Sequence, residues 1–173
     1  DETGKVCTLT LREGVTFQDG ARLTARDVVS TLQRAAASDR YGYRLRHMVS
    51  AAANRAGQVV ITLAAPNSGF LTLLDIPITK ANTEHQLAPT GTGPYLFISG
   101  EEGNYLQANA EWWQGKPLPV QTIRLEDTKD RDTARYLFSS RRIELLTIDP
   151  TDNMAAVTGQ SETASRPTAI LQY

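Results

Sequence analysis

The chain is short of the residues that build covalent or metal-held frameworks. It has one cysteine, Cys7, so no intrachain disulfide forms. Its two histidines, His47 and His85, sit in separate segments with no Cys, Asp or Glu at ligand spacing around either. A metal site needs several convergent ligands, so neither a metal nor a cofactor is expected. No Gly-x-Ser-x-Gly occurs, and the paired carboxylates, Glu101 with Glu102 and Asp130 with Asp132, fall in a turn and at a helix start. Nucleophilic and acid–base chemistry therefore lacks its parts, and the chain does not read as an enzyme. No apolar run reaches the length that spans a bilayer. No signal peptide precedes the first strand, so a signal peptide and any lipid anchor are expected outside this chain. Basic residues are not in excess: 18 Lys and Arg against 19 Asp and Glu give a net charge of −1. Nucleic-acid binding needs phosphate-neutralising side chains gathered on one face, and the arginines here are scattered, so no nucleic-acid partner is expected.

What is present is an ordinary globular balance. With 173 residues, 40% hydrophobic and 21% charged, the chain suits one compact domain or two small subdomains. The most informative stretch is residues 11–34. Cys7, Leu9 and Leu11 alternate with Thr8, Thr10 and Arg12, the period of a half-buried strand over residues 5–11 that buries Cys7. Asp19-Gly20 marks a turn, because glycine takes positive φ without steric cost. Thr24 is placed to cap a helix over residues 24–37, with the Asp27 carboxylate at the positive end of its dipole. Val28, Leu32 and Ala35 follow at helical spacing.

Further along, residues 38–50 form a polar connection rich in Tyr and Arg, with a second short helix expected around Leu45 to Ala52. Gln58 to Leu63 is rich in β-branched residues and reads as a strand, entered through a turn at Asn54 to Gly57 and ended by Pro66. Phe70 to Leu74 reads as a helical turn. The polar residues 79–88 are the candidate linker. Strands are expected at Tyr95 to Ile98 and Tyr105 to Asn109, joined by a hairpin loop over residues 99–104, and again at Val120 to Glu126. A helix at Asp130 to Ser139, a strand at Ile143 to Ile148, a short helix near Asp152 and a final strand at Ala169 to Tyr173 complete the reading.

Two blocks carry a family resemblance. The first is Leu11-Arg12-Glu13-Gly14-Val15-Thr16-Phe17, then Asp19-Gly20, then Leu23-Thr24-Ala25-Arg26-Asp27-Val28. The second is Gly91-Thr92-Gly93-Pro94-Tyr95-Leu96-Phe97, then Asn109, Trp112-Trp113, Gly115-Lys116-Pro117 and Arg142-Ile143-Glu144. In order and spacing they resemble the family 5 extracellular solute-binding proteins, the oligopeptide, dipeptide and nickel receptors of ABC importers. Arg141-Arg142 stands where the family usually has Gly-Glu. The resemblance covers nearly the whole chain, yet family members are much longer, so it implies a fragment. The fold it implies is mixed α/β (α+β), part of a type II-like periplasmic-binding-protein lobe with hairpin-rich sheets and packed helices. Residues 1–78 would be the smaller subdomain of lobe one, 79–88 a linker, 89–148 part of the main subdomain, and 149–173 a crossover toward a missing second lobe. The implied function is capture of oligopeptides or a similar small solute for delivery to ABC permease subunits. The implied location is the extracellular side of the membrane or the periplasm. Two alternatives stand beside it: the sensor domain of a bacterial transcription regulator, and a shortened interaction module that binds no ligand.

The resemblance also directs attention to particular residues. Tyr41 and Tyr43 lie where an aromatic of the oligopeptide receptors faces the cleft, and tyrosine offers a peptide both an apolar face and a hydroxyl. Packing over the helix end is the competing reading. Arg40, Arg44 and Arg46 read as solvated surface, with contact to a ligand carboxylate as the second reading. Thr147, Ile148 and Asp149 follow a strand end that in the family points into the cleft, although the family's aromatic is absent here. Asp149-Pro150 also suits a turn. Gly91-Thr92-Gly93 lacks the ending of a phosphate loop and reads as backbone freedom before a strand. Trp112 and Trp113 read as a structural plug.

Overall fold

The structure is a computed structural model and describes residues 3–101 and 103–147. The chain divides into two units, one of Asp1–Phe97 with Leu106–Thr122 and one of Ile98–Tyr105 with Ile123–Tyr173.

The first unit is organised by a strand buried on one face. β3 (Val59–Leu63) alternates buried and half-buried residues, so Val59, Ile61 and Leu63 point into the core. It runs between β1 (Val6–Leu9) and β2 (Met48–Ala53), antiparallel to both, with Cys7 and Ala51 opposite Ile61 on either side. Helix α1 (Ala25–Ala36) lends Ala25, Val28, Leu32 and Ala35 to the same core, the spacing that keeps one helical stripe inward. Leu45, from the short helix α2 (Gly42–Leu45), and Phe70, from a 3₁₀ helix at Phe70–Leu74, complete it at 1% and 0% exposure. Each such large side chain contributes roughly 1.5–3 kcal/mol on burial. Cys7 is half-buried against this cluster rather than fully buried, as befits an edge strand.

The short helix expected around Leu45 to Ala52 is not there. The helix stops at Leu45, and Met48–Ala53 is a strand. Alanine favours a helix by only a few tenths of a kcal/mol per residue. Pairing with β3 and burial of Ala51 outweigh that preference.

A second sheet runs in the order β4 (Tyr95–Gly100), β5 (Gly103–Ala108), β6 (Thr122–Leu125). The hairpin strands extend further than expected, into residues 99–104. Gly103 takes φ +106, a value open to glycine.

In the second unit, helix α3 (Arg131–Ser139) starts at Asp130, whose carboxylate accepts the Thr133 N–H at 2.7 Å. It ends in a Schellman turn: the Arg141 N–H reaches the Phe138 carbonyl at 3.0 Å and the Arg142 N–H reaches the Leu137 carbonyl at 2.8 Å. The left-handed residue of that turn is Arg141, at φ +57. No strand forms over residues 143–147, where one was expected from Ile143 to Ile148. Ile148 itself, the helix near Asp152 and the strand at Ala169 to Tyr173 lie outside the described residues. Among the described residues no helix is long and apolar enough to cross a membrane.

Candidate functional site

The first signature block folds into a small hairpin feeding α1. Thr16 bridges Arg22, and the Phe17 N–H reaches the Ala21 carbonyl at 2.8 Å. Gly20 makes the reversal at φ +81. The Asp19 carboxylate accepts the Ala21 N–H at 3.1 Å and pairs with Lys80, which chiefly holds its carboxyl below the usual range. Asp27 does more than complement the helix dipole. It is buried, and its carboxylate accepts the Thr24 N–H at 3.0 Å, the Thr24 hydroxyl, and the Ala81 N–H at 2.9 Å. Burial pushes its carboxyl up, and these hydrogen bonds outweigh burial, so it titrates below the usual carboxylate range.

The second block meets the first directly. The Gln18 N–H donates to the Gly91 carbonyl at 3.0 Å, and the Gln18 side chain donates to the Tyr95 carbonyl. Trp112 and Trp113 pack edge to face at 6.1 Å, and their indole N–H groups both donate to the Thr92 carbonyl, at 3.1 and 3.0 Å. Arg12 lies over the Trp113 ring at 5.6 Å. The polar groups of both tryptophans are thus used within the fold. Gly91 and Gly93 owe little to backbone freedom: neither is at positive φ, and a Cβ on Gly93 would meet nothing within 4 Å.

The segment after α1 is built differently. Tyr41 is half-buried against the core, with Arg40 and Arg44 over its ring at 5.3 and 5.8 Å. Tyr43 is 76% exposed and carries Arg46 at 3.8 Å. The Arg44 guanidinium also donates to the Asp75 carbonyl at 3.3 Å, and Arg46 to His47 at 3.1 Å. Tyr41 and Tyr43 thus share one short segment, the first half-buried and the second exposed. Thr147 is exposed and belongs to the second unit. Ile148 and Asp149 lie outside the described residues. Among the described residues no cluster of His, Cys, Asp or Glu has the makings of a metal site.

Sequence reasoning missed three side chains that join distant parts: Gln18, Lys80 and Arg34, the last donating to the Thr79 hydroxyl at 2.5 Å. Their partners lie 77, 61 and 45 residues away, and no local pattern announces such pairs.

Known proteins resemble this chain along most of its length. Protein XP55 of Streptomyces lividans is 29% identical over 170 residues, covering 90% of this chain and 30% of that protein. The glutathione-binding protein GsiB of Salmonella typhi is 30% identical over 146 residues, covering 76% of this chain and 28% of that protein. The nickel ABC transporter structure from Bacillus halodurans superposes with a TM-score of 0.67 at 25% identity, over 82% of this chain and 31% of that one. The chain thus spans under a third of the length of these relatives. The family model for bacterial extracellular solute-binding proteins, family 5, middle region, matches residues 1–173, and the chain belongs to that family.

Proposed function

We propose that this chain is part of the substrate-binding component of an ABC importer, capturing oligopeptides or a similar small solute for delivery to permease subunits. The observation that carries this reading is the family match along residues 1–173. The direct union of the two signature blocks, which makes them one scaffold, accords with it. The role is non-catalytic: binding closes lobes around the solute, and the closed form docks on the permease. In this reading residues 1–78 act as the smaller subdomain of lobe one, 79–88 as the joint, 89–148 as part of the main subdomain and 149–173 as the crossover. The protein works on the extracellular face or in the periplasm.

The ligand contacts proposed on this chain are Tyr41, Tyr43, Thr147, Ile148 and Asp149. The exposed ring of Tyr43 and the half-exposed ring of Tyr41 support the first two. Because the chain covers 28% of GsiB and 30% of XP55, the ligand is held jointly with residues beyond it, and this chain alone binds weakly or not at all. Calorimetry with short peptides tests both parts. Micromolar binding by this chain alone contradicts the shared site. A whole receptor that binds neither peptide nor other small solute contradicts the function.

A further inference from the structure

Residues 79–91 are fastened in an unusual way. They contain no regular element beyond a bridge between Thr79 and Gly91. None of their apolar side chains is buried, and Leu87 is 82% exposed; the buried residue of the segment is Thr83. Apolar burial therefore does not hold this segment in place. Polar groups do, and several of them are charged. Lys80 pairs with Asp19 of the signature hairpin. The Ala81 N–H donates to the Asp27 carboxylate at 2.9 Å. Glu84 lies 3.9 Å from the Arg34 guanidinium. Thr79 exchanges hydrogen bonds with the Thr31 hydroxyl at 3.1 and 3.2 Å. The Lys80 N–H donates to the Thr90 carbonyl at 2.8 Å, closing the segment on itself.

The charges that face it come from two places. Helix α1 supplies Asp27 and Arg34, and the signature hairpin supplies Asp19. His85, on the segment itself, is exposed. Local opening free energies are low where backbone bonds are exposed and apolar contacts are few. Charge-assisted bonds weaken when a carboxylate is protonated or when salt screens the pair. The core beside it, with Val59, Ile61 and Phe70 all at 0% exposure, depends on neither.

We propose that residues 79–91 form a strap that opens as a unit in acid or high salt while the core of α1 and β1–β3 stays folded. The strap joins the two signature blocks, since its first residue meets α1 and its last accepts from Gln18. Its opening therefore loosens the scaffold where the blocks meet, without unfolding the unit.

Amide hydrogen exchange on the whole chain tests this, with rates corrected for intrinsic pH dependence. At neutral pH, D19N and K80A should each speed exchange of the Ala81 and Thr90 amides by several-fold. The pair together should reach about tenfold, with the β3 amides unchanged. Wild-type protein taken from neutral to about pH 3 should show the same selective loss. Asp19 and Lys80 are partly exposed, so these variants leave the core intact. Equal loss at Ala81 and in β3 would show that the strap belongs to the cooperative core and would overturn the proposal. Unchanged exchange at Ala81 and Thr90 in every arm would overturn it equally.

Discussion

The two signature blocks and the segment of residues 40–47 differ in how far their polar side chains are turned into the fold. In the blocks, Gln18, Asp27, Trp112 and Trp113 each form side-chain hydrogen bonds inside the fold. In the segment, the guanidiniums of Arg40, Arg44 and Arg46 rest on tyrosine faces, and Arg40, Tyr43 and Arg46 are exposed. A residue whose partners are all internal holds a scaffold. One that keeps donors and an aromatic face outward is free to meet another molecule. The stretch that identifies the family is thus framework, and the stretch proposed to meet the solute is the less distinctive one beside it.

Substitutions can break or sharpen that contrast. The largest effect belongs to the core beneath both regions. Phe70→Ala should cost about 3–5 kcal/mol in urea unfolding, because a fully buried ring leaves a cavity that the sheet cannot fill. Next comes Asp27→Ala, which strands the Thr24 and Ala81 N–H groups and should cost about 2 kcal/mol at neutral pH. The Asp27 carboxyl titrates lower in the folded chain than in the unfolded one. Its contribution is therefore complete above the ordinary carboxyl value near about 4 and is lost as pH falls through the lower folded value. Unfolding curves of wild type and D27A should accordingly converge in acid. A smaller change, of opposite sign, is expected at Arg141. Its left-handed backbone, at φ +57, suits glycine, so Arg141→Gly should raise the unfolding midpoint by the equivalent of about 0.5–1 kcal/mol. The smallest effect is predicted for Tyr43→Ala with Arg46→Gln, both exposed, which should stay within about 0.5 kcal/mol of wild type.

Local chemistry made much of this fold legible. The alternation of Val59, Ile61 and Leu63, the three-and-four spacing of Val28, Leu32 and Ala35, and the Asp130 cap each follow from short-range rules, and the structure follows them. Met48–Ala53 escapes local rules because three alanines carry little strand signal of their own, and only the partner strand decides their state. The strap was invisible for a related reason: Asp27 and Ala81 are 54 residues apart, and nothing in either neighbourhood names the other. Arg141 stands where the family usually has glycine, and only the structure shows its left-handed backbone. For the site, the aromatic and cationic character of residues 40–47 was readable, whereas the stacking of each arginine on its tyrosine depends on where α1 ends and α2 turns.

The division between framework and free surface is tested most directly by urea unfolding at neutral pH of two variants side by side, D27A and the double variant Y43A/R46Q. The account predicts a clearly lowered midpoint for D27A and a wild-type midpoint for Y43A/R46Q. Comparable losses in both would contradict it, because the tyrosine–arginine segment would then be part of the framework.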